Sequence, residues 1–276
     1  MKLHNGTAED ISAKLYRYDK VADKLGSLQE IGEAAVANYT KQGYLAVESV
    51  LNEGQTEEAI AALNDLIFVD AKGAHIQFTK PQEELKELKE RELAVRKVSR
   101  FVNVDERLGA ISRHRPLMEV LERLLGDKPV LVQDMALLKP PHAGGEKPWH
   151  QDMAYGALAY NRAVIGVWIA LDEACLDNGC MHVIPGSHAE GAVPHYAVRD
   201  WQICDDHIPV ERDVAVPLAP GGALLFHGLL KHGTPFNLSA KRRRALQLHY
   251  AAESALKLRP QEYKLMFTNA MTDAEC

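Results

Sequence analysis

The sequence predicts a mainly β protein with helices packed on its β core, and two observations carry that expectation. From Pro129 onward the chain breaks into short runs rich in Val, Ile, Leu and aromatics: PVLVQDMALL, AVIGVWIALDEA, CMHVIPG, VAVPLA, GALLFHG and ALQLHYAA. Pro-Pro, Asn-Gly, Pro-Gly and Gly-Gly steps punctuate them. Before Pro129 most periodic stretches have helical spacing, and no regular βαβ alternation links the two textures. We therefore expect one domain over residues 1–276, with about 1–127 helix-rich and about 128–276 forming an antiparallel sandwich or barrel.

The elements follow in order. The first ~25 residues have weak periodicity and suit a wrapping or fraying segment. Leu28 to Thr40 has helical spacing, GYLAVESVL reads as a strand, and Gln55 to Ile67 as an amphipathic helix. Lys80 to Arg96 is laced with charge, which suits a solvated helix or a segment lying over a pocket. Glu106 to Leu125 reads as a helix that Pro116 can split, with Gly126 as its C-terminal cap. In the β half, Asn178-Gly179 is the strongest local hairpin signal, because both residues tolerate the positive φ of a type I′ turn.

Composition narrows the class. The chain has 276 residues, 46% of them apolar, and a net charge of −6. Such a chain offers no broad basic field for nucleic acid or an anionic membrane. Lys241-Arg242-Arg243-Arg244 is basic but has no interleaved aromatics. No run approaches the ~18 apolar residues of a membrane span. The polar N-terminal residues do not resemble a signal peptide, and MTDAEC matches no peroxisomal, ER or prenylation signal. The four cysteines (Cys175, Cys180, Cys204 and Cys276) are too sparse for a disulfide scaffold and fit a reducing compartment. These features together predict a cytoplasmic protein.

Chemistry concentrates in KPWHQDMAYG, residues 147–156. On an extended strand, i and i+2 share a face, so His150 and Asp152 aim an imidazole and a carboxylate at one point while Trp149 packs behind. A third ligand has two candidates, His227 and His232. Arg243 lies eleven residues beyond His232, and the midpoint falls in the turn-like PFNLSAK. A hairpin centred there sets Arg243 across from His232, with Cβ atoms about 5 Å apart. His227 has no comparable partner, so His232 is the expected ligand. Two histidines and one carboxylate on one face form the ligand set of non-haem Fe(II) oxygenases, whose open positions accept a 2-oxoacid and O2. Arg243 then offers a guanidinium fork for the distal carboxylate of that 2-oxoacid. His182 and His188, beside the PGS turn, suit structural roles or contact with substrate.

Three ordered stretches, LLKPPHAGGEKPWHQD, VWIALDEACLDNGCMHVIPGSH and FHGLLKHGTPFNLSAKRRRALQLHY, resemble the phytanoyl-CoA dioxygenase family of Fe(II)/2-oxoglutarate oxygenases. The resemblance covers about Pro129 to Ala252, with a weaker match at RKVSRFV. It implies a double-stranded β-helix (jelly-roll, cupin-like) core with N-terminal helices on it. It also implies Fe(II) as cofactor, with 2-oxoglutarate and O2 as cosubstrates that leave as succinate and CO2. His150, Asp152 and His232 match the metal ligands and Arg243 the cosubstrate anchor. Thr234, Trp168, Met135 and Lys97 match cosubstrate-pocket positions, although Trp168 and Met135 equally suit core filling and Lys97 a surface site. Related halogenases replace the carboxylate ligand with a small residue; Asp152 is present, so hydroxylation or another oxidation of a small-molecule substrate is expected. Two rival readings are a non-catalytic metal-binding jelly roll and a Zn-dependent hydrolase. The second lacks a general base with HExxH spacing.

Overall fold

The structure is a computed structural model, and it describes residues 6–142, 144–270 and 275–276. Seven helices are described: α1 (Ala8–Leu15), α2 (Glu33–Gln42), α3 (Glu53–Val69), α4 (Leu88–Leu93), α5 (Glu106–Ser112), α6 (Arg115–Leu125) and α7 (Pro260–Phe267). The strands are β1 (Lys24–Ser27), β2 (Tyr44–Ser49), β3 (His75–Phe78), β4 (Val95–Ser99), β5 (Pro129–Lys139), β6 (Lys147–His150), β7 (Val164–Ala170), β8 (Met181–Val183), β9 (Tyr196–Ala197), β10 (Trp201–Gln202), β11 (Val214–Val216), β12 (Ala223–His227), β13 (His232–Thr234) and β14 (Arg243–Ala252). An eight-stranded sheet, β1-β2-β12-β7-β14-β5-β4-β3, faces a four-stranded sheet, β11-β8-β13-β6. Apart from the parallel β1–β2 edge, every pairing in these sheets is antiparallel, so the two form the jelly-roll core.

A period of two in the central strands builds this arrangement. Ile165, Val167 and Ile169 of β7, with Leu246, Leu248 and Tyr250 of β14, pack in one cluster with Leu63 and Ile67 of α3 and Leu117 and Leu121 of α6. The alternate residues Trp168, Ala170 and Ala245 pack with Met181, Val183 and Val216 of the small sheet. One face of the large sheet thus carries the helices and the other lines the barrel. The helices begin and end where local chemistry requires. Asn52 caps α3 through a reciprocal pair with Gln55. Pro116 sits in the first turn of α6, so the Glu106–Leu125 stretch becomes two helices, and Gly126 closes the second at φ 63°.

Several expectations need correction. Asn178-Gly179 is not a hairpin turn, because β7 and β8 on either side of it belong to different sheets. Gly179 alone has positive φ, while the Asn178 carboxamide accepts from Cys175 N at 2.8 Å and donates to the Glu173 carbonyl at 2.7 Å. Nor do β13 and β14 form a hairpin. β13 pairs with β6 and β8, and β14 pairs with β5 and β7. Lys80 to Arg96 is not one helix; a 3₁₀ turn at Gln82–Glu84 and the short α4 lead into β4. Four strands come from the N-terminal part, which extends the large sheet rather than only covering it. Cys204 and Cys276 form a disulfide across 72 residues of sequence, against the expectation of unpaired thiols. Their spacing of 72 residues carried no sign of it. No described helix is long and apolar enough to cross a membrane.

Candidate active site

The two histidines meet because β6 and β13 are neighbours in the small sheet, with His150 directly opposite His232. Trp149 points the other way. It is buried, stacks on Tyr16 at 5.3 Å between centroids, and donates its indole N–H to the Leu15 carbonyl at 3.0 Å. This contact fixes the facing of β6, so that the His150 ring enters the barrel. Each imidazole is then oriented by its own backbone. Nδ1 of His150 lies 2.8 Å from the Pro148 carbonyl, and Nδ1 of His232 lies 2.9 Å from the Leu230 carbonyl. A carbonyl can only accept, so both Nδ1 atoms carry protons and both Nε2 lone pairs are free.

Asp152 does not share the strand with His150, as a common i and i+2 face would require. The strand stops at His150, and Asp152 opens a 3₁₀ turn, Asp152–Ala154. Gln151 between them is buried and clamps the bend. Its carboxamide donates to the Gly191 and Leu229 carbonyls at 2.8 Å each and accepts from Val193 N at 3.0 Å. Asp152 Oδ1 lies 3.3 Å from His150 Nε2 and 3.5 Å from His232 Nε2. Among the described residues, these three are the group of His, Cys, Asp and Glu side chains that could hold a metal ion. His227, the rival ligand, ends β12 with its ring 5.1 Å from that of His188, away from the cavity. The fold thus brings His232, not His227, to His150 and Asp152, and it does so through strand pairing with β6 rather than through a hairpin with Arg243.

Electrostatics suit a cation. Burial, reinforced by neighbouring His232, pushes the His150 imidazole down to about 3, so it is neutral and able to coordinate. Burial would raise the Asp152 carboxyl, but His232 and His249, with the contacts from His150 and His232, hold it well below the usual range. Its second oxygen, Oδ2, accepts from Gln247 Nε2 at 3.1 Å and His249 Nε2 at 2.8 Å.

A cavity of about 500 Å3 opens in front of these groups. All eight residues singled out from the sequence line it: His150, Asp152, His232, Arg243, Thr234, Trp168, Met135 and Lys97. Arg243 is the first residue of β14 and is buried, and its Nε and Nη1 have no hydrogen-bond partner. Burial pulls this guanidinium down to about 10. Its Cζ lies 5.1 Å from the centre of the Trp168 ring, which covers one face of the fork. Trp168 Nε1 and Thr234 Oγ1 are likewise buried without partners. Unpaired buried donors are costly, and four such atoms on three residues of one cavity suit an anionic or carbonyl oxygen. The other arginines of the basic run already hold carboxylates: Arg244 pairs with Asp172 and Arg242 with Glu92.

Several lining residues escaped the sequence reading. Gln247 shares the inward parity of Arg243 on β14, which period-two counting would have found; His249 has the same parity and lies behind the cavity wall, on Asp152. Lys139, at the end of β5, is buried and donates to the Thr234 and Pro235 carbonyls. Burial, with Arg243 nearby, lowers its ammonium well below the ordinary lysine range. At the mouth, Lys147 donates to Asp200 at 2.7 Å and to the Tyr155 hydroxyl, while the Tyr155 ring stands edge-on to His150 at 5.6 Å. Burial, then Lys147 and Arg96, lower the Lys97 ammonium. Lys139 carries no local signal, since its carbonyl partners lie 95 and 96 residues away in sequence.

Known proteins share this fold and parts of this sequence. The phytanoyl-CoA dioxygenase (PhyH) family profile matches residues 39–245. Phytanoyl-CoA dioxygenase domain-containing protein 1 of Rattus norvegicus is 32% identical over 167 residues, 57% of this chain and 57% of that protein. The Mus musculus protein of the same name is 29% identical over 215 residues, 73% of this chain and 70% of its own. The match thus spans little more than half the length of the rat relative. Among solved structures, a non-heme alpha ketoglutarate dependent carbocyclase from nogalamycin biosynthesis superposes with a TM-score of 0.66. It is 22% identical, with 85% of this chain and 89% of that one covered. EctD from S. alaskensis, crystallised with 2-oxoglutarate and 5-hydroxyectoine, gives 0.67 at 20% identity, covering 90% of this chain and 83% of its own. At such identities the likeness is one of fold.

Proposed function

The chain belongs to the phytanoyl-CoA dioxygenase family, and from that premise we propose that it is an Fe(II)- and 2-oxoglutarate-dependent dioxygenase. It hydroxylates, or otherwise oxidises, a small organic metabolite and releases succinate and CO2. The observation that carries this reading is the shared cavity: two bare imidazole nitrogens and a carboxylate oxygen converge in it, together with a buried, unpartnered guanidinium. His150, Asp152 and His232 would hold the iron, and the donor set fits, since neutral imidazoles and one carboxylate leave positions open on an octahedral ion. Arg243 would grip the distal carboxylate of 2-oxoglutarate, with Thr234 and the Trp168 indole N–H supplying further donors and Met135 and Lys97 bounding the pocket. Bound iron supplies the activation of O2 that C–H oxidation requires.

The protein's own contribution is positioning and exclusion of water. Carbonyl contacts from Pro148 and Leu230 pre-orient both imidazoles before any ion arrives. Substrate would enter past Gln77, Thr79, Arg96, Gln133, Tyr155 and Leu158, which line the same cavity. A metal-binding barrel without catalysis has no use for an unpaired buried arginine, and a zinc hydrolase has none for a carboxylate clamp beside the metal. The test is anaerobic addition of Fe(II) and then 2-oxoglutarate. A weak visible charge-transfer band is expected, absent in His232→Ala. A wild-type protein that binds Fe(II) yet develops no band would overturn the reading. Succinate release across a metabolite panel then identifies the substrate.

A further inference from the structure

Asp152 is held asymmetrically. Oδ1 faces His150 Nε2 and His232 Nε2 at 3.3 and 3.5 Å. Oδ2 faces away and takes two donors, Gln247 Nε2 at 3.1 Å and His249 Nε2 at 2.8 Å. Both donors project inward from β14, a strand paired on each side and buried along its whole length. The same strand begins with Arg243.

The tautomer of His249 follows from this packing. Gln247 Nε2 and His249 Nε2 lie 3.1 Å apart on the same oxygen. A bare His249 Nε2 would set its lone pair against the carboxylate at 2.8 Å, which is repulsive. Nε2 therefore carries the proton and donates, and Nδ1 is left buried without a partner. An apolar side chain would fill this space without an orphaned nitrogen. The arrangement is accounted for by the hydrogen bond it gives Asp152, not by packing.

We infer that Gln247 and His249 are positioning residues that keep Asp152 monodentate on the metal. With both lone pairs of Oδ2 engaged by N–H donors, only Oδ1 can coordinate. A bidentate carboxylate would take up one of the positions that a chelating 2-oxoacid and O2 require. The inference rests on the oxygenase reading and assigns a task to two residues outside the ligand set.

Co(II) serves as the probe, since its d–d absorption reports coordination number. The apo protein is loaded with Co(II) and titrated with 2-oxoglutarate without O2, and the metal dissociation constant is measured by competition with a chelator. In the Gln247→Met/His249→Phe double variant the Co(II) spectrum is expected to change before 2-oxoglutarate is added. Affinity for 2-oxoglutarate should drop about 10-fold or more, within the 10–100-fold range of outer-shell changes. His249→Gln, which keeps an N–H donor, should recover most of it. Gln247→Met alone, close to isosteric, should shift the spectrum in the same direction if the double variant does not fold. A variant with wild-type spectrum and wild-type 2-oxoglutarate affinity overturns the inference and leaves the oxygenase reading standing. A wild-type Co(II) spectrum that does not respond to 2-oxoglutarate overturns both.

Discussion

His150 and His232 are direct cross-strand partners, with ring centroids 4.1 Å apart, in a sheet that contains neither Arg243 nor Trp168. The proposed metal ligands therefore belong to the small sheet and its margin, and the proposed cosubstrate anchor to the large one. Replacing either histidine with Ala removes a ligand and leaves the other two too few to define a site. Fe(II) affinity in His150→Ala and His232→Ala should fall by more than the roughly 100-fold of an outer-shell change, measured by anaerobic competition. His227→Ala is the control. It sits five residues from His232 but outside the cavity, and metal affinity should stay within about twofold.

Arg243 presents a trade between stability and binding. Its guanidinium is buried, with Nε and Nη1 unpartnered. Truncating a buried charge that a ligand pairs with costs about 2–5 kcal/mol of binding, roughly 30-fold or more in affinity. Arg243→Met should therefore raise the KM for 2-oxoglutarate at least that much. In the absence of 2-oxoglutarate the same variant should unfold at an equal or higher temperature, because a well-packed apolar side chain replaces a charge without a partner. Arg243→Lys keeps the charge but loses the fork, and its KM should lie between the two. A variant that binds 2-oxoglutarate normally would remove Arg243 from the site.

Much of this was legible in the sequence, though not always through the contacts that the fold uses. The large-sheet strands of the β half announced themselves because their apolar runs are long and buried on both faces, as in Val164–Ala170 and Arg243–Ala252. The N-terminal strands Lys24–Ser27 and His75–Phe78 did not, being four residues long at the sheet margins with little burial. The His150-x-Asp152 pair was visible as adjacent chemistry, but its geometry depends on a bend that Gln151 secures through partners forty or more residues away. The hairpins expected at Asn178-Gly179 and in PFNLSAK are absent for one physical reason. In a jelly roll, strands adjacent in sequence often join opposite sheets, so the connection arches between layers. Sequence reports a turn there but not which layer the chain enters next.

Stability should depend on pH through His195. This residue is fully buried; its Nδ1 donates to the Val193 carbonyl at 2.9 Å and its Nε2 accepts from Gln151 N at 3.0 Å. Burial pushes it down to about 4, against an ordinary histidine value of 6.5. Between those values the unfolded chain takes up a proton that the folded protein refuses, so unfolding gains on folding as pH falls. The contribution is complete above about pH 6.5 and drains away toward pH 4. Its size is on the order of 3 kcal/mol, from 1.36 kcal/mol per pH unit. His195→Gln keeps an acceptor for Gln151 N and does not titrate. Its denaturant midpoint should fall less steeply than wild type over this window, and parallel slopes would show that His195 is not the group responsible.

The Cys204–Cys276 crosslink makes a separate claim on stability. It spans 72 residues of sequence, and closing a loop of that size in the unfolded chain removes entropy equivalent to about 4 kcal/mol at 25 °C. The folded state gains little from the bond itself, because α7 is already anchored. Phe267 is buried, its carbonyl accepts from His195 N at 2.8 Å, and the Tyr263 hydroxyl donates to the Ala154 carbonyl at 2.6 Å. The crosslink therefore acts mainly through the unfolded ensemble. Cys276→Ser should lower Tm by on the order of 10 °C, at about 2–4 °C per kcal/mol for a chain of this size. Reductant should lower the wild-type Tm by a similar amount and leave the variant unmoved. Coincident wild-type melting curves with and without reductant would mean that the two thiols are not joined in solution.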